Sequence, residues 1–238
     1  MADRFFCAEI PPGGGITLRG DEAKHLARVA RRAIGDHVEV FDGRGNCVEA
    51  EILEIERDHV RLQARSPVPD RETSVSLSLL VAVPKGERFD WIVEKATEVG
   101  VARLIPLKAA RSVVDPRSAK MERLRRVILE ASKQCGRNRL MVLEEPIPSL
   151  EAFERDHSDV RLLAEAGGAG PVSWPRWRSG GSVSLAVGPE GGWTEAELNA
   201  ARTAGWTLVG LGPTRLRVET AAIVGAGLVL SRGEGDAP

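Results

Sequence analysis

Two glycine-bearing segments near the C-terminal end hold the residue types from which a ligand site can be built. The first, Gly188-Pro189-Glu190-Gly191-Gly192, follows the apolar run 183–187 and precedes Thr194 and Glu197, spaced as a helix-capping box. A strand that ends in such a turn and enters a helix brings backbone N–H groups close to a ligand, because glycine has no Cβ in the way. The second, Leu211-Gly212-Pro213-Thr214-Arg215-Leu216-Arg217-Val218-Glu219-Thr220, follows the apolar run 207–211 and leads into a helix of small residues. Two such junctions at adjacent strand ends form a crevice beyond the carboxyl edge of a parallel sheet, where α/β proteins bind ligands. As bare patterns, both also suit tight turns with no ligand. Neither is the G-x-G-x-x-G dinucleotide fingerprint, and no G-x-x-x-x-G-K-[ST] phosphate loop occurs.

Other chemistry is sparse. His25, His37, His59 and His157 lack a second ligand at metal-binding spacing, so no metal is expected. His25 stands apart because it shares a helical stretch with Arg28, Arg31 and Arg32. No serine has a G-x-S-x-G setting. Cys7, Cys47 and Cys135 are scattered and odd in number, which suits reduced thiols in a cytoplasm rather than a disulfide framework.

The elements that must position these segments follow from periodicity. Strand-like runs at 4–9, 37–42, 47–55 and 59–63, a helix at 21–32 and a turn at Asp42-Gly43-Arg44-Gly45-Asn46 predict a small strand-rich barrel. Ser66-Pro67-Val68-Pro69-Asp70 reads as a stiff linker, which places a domain boundary between 1–70 and 71–238. Beyond it, strands at 75–83, 104–107, 161–164, 182–187 and 207–211 alternate with helices at 88–99, 121–134, 194–204 and 219–231. Such alternation predicts a mostly parallel α/β sheet, with 167–171 and 179–181 as loops. In the last helix, Ala221, Ala222, Gly225, Ala226 and Gly227 imply a close backbone approach, either internal or across a dimer.

The chain has 238 residues and a net charge of −1, with 42% hydrophobic and 28% charged residues. That balance excludes a disordered chain, and no apolar run approaches the roughly 20 residues of a membrane helix. The N-terminus shows no secretory signal pattern. The near-zero charge conceals asymmetry: −3 over residues 1–72, +7 over 85–139 and −5 over 140–238. Arg117, Lys120, Arg123, Arg125, Arg126, Lys133, Arg137 and Arg139 supply most of the basic block. The block suits either a solvated helix face or an anionic partner, and its arginine content favours forked contacts to phosphate.

Taken together, the motifs resemble the RsmE family of SPOUT methyltransferases, which act on N3 of a uridine in bacterial 16S ribosomal RNA. The two glycine segments carry the resemblance. It extends through Arg4-Phe5-Phe6, His25-Leu26, Gly35-Asp36 and Phe41-Asp42-Gly43 in the N-terminal part. Further on it includes Lys85-Gly86, Glu94-Lys95-Ala96-Thr97-Glu98-Val99-Gly100-Val101, Arg111-Ser112 and Gln134-Cys135-Gly136-Arg137-Asn138-Arg139.

The resemblance implies an N-terminal PUA-like β-barrel domain and a C-terminal SPOUT α/β domain with a deep trefoil knot over about 182–231. It implies S-adenosyl-L-methionine held by Leu163, Ala164, Gly188, Pro189, Glu190, Gly191, Gly192, Leu211, Gly212, Leu216, Arg217 and Thr220. Arg217 is the candidate for stabilising charge or positioning the base; Glu219 is the candidate anchor or proton acceptor, with Glu190 a second carboxylate. RNA contacts are expected at Arg4, His25, Arg28, Arg31, Arg111, Arg123, Arg126, Arg137 and Arg139. The expected partners are 16S ribosomal RNA or the assembled small subunit, and a second copy of the chain, in the cytoplasm with no membrane or metal. Rival readings are a SPOUT enzyme acting on transfer RNA or another ribosomal site, a non-catalytic RNA-binding module, and a Rossmann-like nucleotide sensor.

Overall fold

A computed structural model describes residues 3–112 and 118–233. Of the basic block, Arg117 and the Lys120 side chain lie outside the described residues. The chain forms two compact units, one of Met1–Glu72 with Leu129–Leu140, the other of Thr73–Ile128 with Met141–Pro238.

In the first unit, β1 (Arg4–Phe6), β2 (Gly15–Arg19), β3 (His37–Phe41), β4 (Cys47–Ile55) and β5 (His59–Pro67) form one sheet in the order β1-β3-β4-β5-β2. β1 runs parallel to β3 and the other pairs are antiparallel. The Asp42 carboxylate sets the β3–β4 turn by accepting from the Arg44 and Asn46 amides at 2.7 and 3.1 Å.

The expected barrel is present only as an open sheet among the described residues, with β1 and β2 as edges. A helix covers the core of this unit: Ala23 and Leu26 pack with Phe5, Leu18, Val40, Ile52 and Leu62. That helix is not the single one expected over 21–32. It is α1 (Gly20–Lys24) followed by a π-helical turn (His25–Val29), and Arg31 then takes a left-handed φ of 52°. The strand β2, whose Ile16 and Leu18 point inward, was not expected. The proposed linker overlaps structure, since β5 runs to Pro67.

In the second unit, β6 (Ser76–Ala82), β7 (Arg103–Lys108), β8 (Val142–Leu143), β9 (Ile147–Pro148), β10 (Val160–Ala169), β11 (Ser182–Val187) and β12 (Thr207–Val209) form a sheet. The order is β12-β10-β11-β6-β7-β8 with β9 also on β7, and every pairing is parallel. β6 and β11 are buried along nearly their whole length, as strands covered on both faces must be.

The helices are α2 (Arg88–Val99), α3 (Ser118–Cys135), α4 (Ser149–Arg155), α5 (Glu195–Thr203) and α6 (Val218–Gly233). α3 begins in this unit, and its last turns belong to the first. β8, β9 and α4 were not expected. β10 extends through Gly167 and Gly168, expected as loop. Gly168 sits so close to the next strand that a Cβ there would lie 2.5 Å from the Val209 carbonyl carbon. Glycine therefore marks a strand contact here, not a turn.

α6 packs on β6, β11 and α2. A Cβ on Gly225 would lie 2.6 Å from the Leu185 side chain, so at least this small residue answers an internal contact.

Candidate functional site

β10 lies between β11 and β12, so the three carboxyl ends stand side by side. A cleft of about 600 Å³ opens there. Its walls are Ala164, Glu165 and Ala166 of β10, Val187 and residues 188–193 after β11, and Leu211, Gly212 and residues 214–218 after β12. Ala221 and Arg111 complete the lining. The two glycine segments thus meet across one crevice, as strand order and parallel direction require.

The first wall is held from behind. Pro189 and Gly192 close a turn through the Gly192 amide at 2.8 Å. The Trp193 indole N–H donates to the Ala164 carbonyl at 3.0 Å, and its ring meets Phe153 edge to face. Arg111 donates to the carbonyls of Gly191 at 2.8 Å and Trp193 at 3.3 Å.

The capping box is formed: the Glu197 amide donates to Thr194 Oγ1 at 3.2 Å, and the Glu197 carboxylate accepts from the Thr194 amide at 2.9 Å. The same buried carboxylate also accepts from the Ala110 amide at 3.0 Å and the Ser149 hydroxyl at 2.7 Å. Burial pushes this carboxyl group up, but the hydrogen bonds from Thr194, Ala110 and Ser149 outweigh it and hold it below the usual range.

The second wall is more open. Gly212 has a φ of 147°, with no heavy atom within 4 Å of where its Cβ would be, so backbone faces the cleft there. The Arg217 carbonyl accepts from the Ala221 amide at 2.8 Å at the start of α6. Arg217 lines the cleft, and its side chain has no ion pair or hydrogen bond among the described residues. Glu219 is mostly withdrawn, its carboxylate 3.7 Å from Arg88 Nε; Glu190 lies 3.8 Å from Arg88 Nη1.

Of the residues expected to hold a cofactor, Ala164, Gly188, Pro189, Glu190, Gly191, Gly192, Leu211, Gly212, Leu216 and Arg217 line the cleft. Leu163 does not: it points into the core with Leu80, Ala186 and Trp206, because strand side chains alternate. Thr220 is exposed and outside the lining. Arg111, Glu165, Ala166, Val187, Trp193, Thr214, Arg215, Val218 and Ala221 line the cleft without having been expected as cofactor contacts. Position signals Val187 and Trp193, which adjoin the first segment, and Thr214, Arg215 and Val218, which lie within the second; spacing does not bring in Arg111, which arrives from another strand end.

The expected RNA contacts divide. Arg28 and Arg31 are exposed, with no side-chain partner among the described residues. His25 packs edge to face on Phe5. Arg123 and Arg126 are exposed on α3, pairing with Asp90 and Glu122, and Arg139 pairs with Asp70 at 3.6 Å.

Arg4 and Arg137 depart from the expectation. Arg4 is buried, donating to Asn138 Oδ1 at 2.7 Å and the Arg137 carbonyl at 3.2 Å and pairing with Glu39. Arg137 is buried against Glu72 at 2.7 Å. Both hold Leu129–Leu140 to the rest of the first unit, and charges so enclosed cannot reach a phosphate. Arg111 is likewise engaged on the first wall of the cleft.

His59 also departs from expectation. The β4–β5 turn gathers Glu56, Asp58 and His59 with their ligand atoms within 4.8 Å of one another. They are accounted for as an imidazole–carboxylate cluster, Asp58 lying 2.9 Å from His59 Nδ1. No helix of the described residues is long and apolar enough to cross a membrane.

Comparison with known proteins agrees with this architecture. Residues 71–230 match the family described as RNA methyltransferase domain, and residues 18–64 match the RNA methyltransferase PUA domain. The chain is 31% identical over 228 residues to the ribosomal RNA small subunit methyltransferase E of Bacillus subtilis, covering 90% of this chain and 89% of that protein. The crystal structure of the Neisseria gonorrhoeae ribosomal RNA small subunit methyltransferase E bound to S-adenosyl methionine superposes with a TM-score of 0.89 at 27% identity, over 97% of this chain and 98% of that one. A methyltransferase from Legionella pneumophila in complex with the same cofactor superposes with a TM-score of 0.87 at 27% identity, over 97% and 98%.

Proposed function

The chain belongs to the ribosomal RNA small subunit methyltransferase E family, and from that premise we propose that it methylates N3 of a uridine in 16S ribosomal RNA, using S-adenosyl-L-methionine. One observation carries the reading: both glycine segments face a single cleft at the carboxyl edge of the parallel sheet.

The residues present fit the cofactor. Val187, Leu211, Leu216, Val218 and Ala221 offer an apolar slot for a flat base. Gly212 leaves open space where a side chain would intrude, and the volume falls within the roughly 300–1,000 Å³ range of small-molecule sites. Glu165 and Glu190 offer carboxylates for hydroxyl or ammonium groups. When bound, the cofactor supplies an electrophilic methyl group on a sulfonium.

The chain's own work is to position the uridine and lower the cost of losing its N3 proton. Arg217, unpaired among the described residues and lining the cleft, stabilises the negative charge that spreads to the base carbonyl oxygens as that proton leaves. Of the two candidate carboxylates, Glu190 is on the lining, whereas Glu219 is withdrawn behind it, which suits the role of anchor better than that of direct acceptor. N3 is on the Watson–Crick edge, so a paired target must be unpaired before it enters.

Arg28 and Arg31 of the first unit and Arg123, Arg126 and Arg139 are the exposed cations proposed to grip RNA phosphates. A trefoil knot over about residues 182–231, a homodimer, the assembled small subunit as substrate and residence in the cytoplasm belong to the same proposal. The division into residues 1–70 and 71–238 is proposed as the functional one, with Leu129–Leu140 added to the N-terminal side by packing.

The test is mass mapping of ribosomal RNA from a strain lacking this activity, before and after adding the protein with S-adenosyl-L-methionine. A new methyl group on N3 of one uridine is expected. Methylation elsewhere, or none on either naked RNA or small subunits, overturns the reading.

A further inference from the structure

Arg88, the first residue of α2, is not part of the cleft lining, yet it reaches a carboxylate from each glycine segment. Its Nη1 is 3.8 Å from Glu190 of the first glycine segment, and its Nε is 3.7 Å from Glu219 of the second. The Glu219 carboxylate is largely enclosed, and its Oε2 is buried with no hydrogen-bond partner among the described residues. An enclosed carboxylate is tolerated only beside a counter-charge, so Arg88 is what makes the Glu219 position affordable.

We infer that Arg88 is a positioning residue of the cofactor cleft, a clasp that ties its two walls together through Glu190 and Glu219. Two different nitrogens of one planar guanidinium stand within ion-pair distance of the two carboxylates, which draws the first glycine turn and the first turn of α6 toward the start of α2. α2 is itself packed on α6, the helix that Glu219 opens, so the clasp is anchored to the body of the unit. Without Arg88, two like charges on opposite walls lose their shared counter-ion, one of them in an enclosed place. The walls then separate, and the cleft must be reassembled at each binding event. The inference rests on the reading that this cleft holds S-adenosyl-L-methionine.

The experiment is calorimetric titration of the full-length protein with S-adenosyl-L-methionine, alongside thermal melts and steady-state kinetics. The variants are Arg88→Ala, Arg88→Lys and the double variant Arg88→Ala/Glu219→Gln. Arg88→Ala is expected to raise Kd about tenfold or more, with the larger effect on KM for the cofactor than on kcat. Arg88→Lys keeps the charge but loses the fork that reaches both carboxylates, so its Kd is expected to fall between those of wild type and Arg88→Ala. The double variant recovers most of the loss, because removing the enclosed charge removes the reason for the clasp.

Binding by Arg88→Ala equal to wild type overturns the inference. So does a double variant no tighter than Arg88→Ala alone, since a residue that merely supports the fold would not be rescued by neutralising Glu219. If the wild-type protein itself fails to bind, the cofactor reading falls and the clasp falls with it.

Discussion

The Arg111 guanidinium donates a hydrogen bond to the Gly191 carbonyl at 2.8 Å, joining the loop after β7 to the glycine turn that forms one wall of the cleft. The bond holds a backbone whose glycines would otherwise let it flex. Arg111→Ala is expected to cost about 1 kcal/mol of loop order. In calorimetry with S-adenosyl-L-methionine this reads as roughly a five- to tenfold rise in Kd, with the melting temperature little changed. An unchanged Kd would mean that the turn is rigid without Arg111.

Arg217 behaves differently if it acts on developing charge. Arg217→Ala is expected to lower kcat on RNA by about 10²–10³-fold, the magnitude of losing one donor to an oxyanion. Cofactor Kd should move far less, which separates charge stabilisation from binding. Equal losses in both would make Arg217 a cofactor contact only.

Glu197 ties α5, α4 and the loop after β7 through one buried carboxylate. Glu197→Ala strands the Ala110 amide and Ser149 hydroxyl and is expected to cost about 2–4 kcal/mol of stability, read by denaturant unfolding. Because the folded carboxyl group titrates below its unfolded value, its contribution is complete above the unfolded pKa of about 4.3 and is lost as pH falls through the lower folded value. The stability difference between wild type and Glu197→Gln should therefore shrink on acidification through that window. A constant difference would contradict the linkage.

Arginines of the first unit should separate into two kinds. Arg4→Ala removes a buried cation from Asn138 and Glu39 and should lower the melting temperature. Arg28→Ala and Arg31→Ala should leave it within error, and each should reduce the slope of log affinity for RNA against log salt by about one. Salt slopes unchanged in both variants would place the RNA elsewhere.

Gly168→Ala tests the close approach of β10 and β12. The added methyl meets backbone at 2.5 Å, which no rotamer can relieve, so about 1–3 kcal/mol of stability should be lost. Glu165 and Ala166 of the same strand line the cleft, so cofactor binding should weaken with it. A neutral substitution would mean that β12 shifts freely.

Several features were legible before any fold was known. The capping box at Thr194 and Glu197 is a three-residue relationship, written in adjacent positions and formed as read. The helix over Arg88–Val99 and the strand Ser182–Val187 follow from apolar periodicity, which local backbone geometry imposes. The π-helical turn at His25–Val29 was not legible, because nothing in its composition distinguishes it from an ordinary helical turn.

By itself, then, the sequence determined most of the longer strands and helices and which two glycine turns could face a ligand, since those properties depend on neighbours a few residues apart. It also determined that a basic block lies between acidic ones. Only the tertiary structure decided which charges in that block are available: Arg137 is enclosed against Glu72, 65 residues away, while Arg126 stays exposed. It alone set Leu163 into the core while Ala164 faces the cleft, and brought Arg88 against Glu190 and Glu219. The physical reason is the same in each case. Burial and charge pairing are set by contacts between residues distant in the chain, and these exist only once the sheet has placed its strand ends side by side.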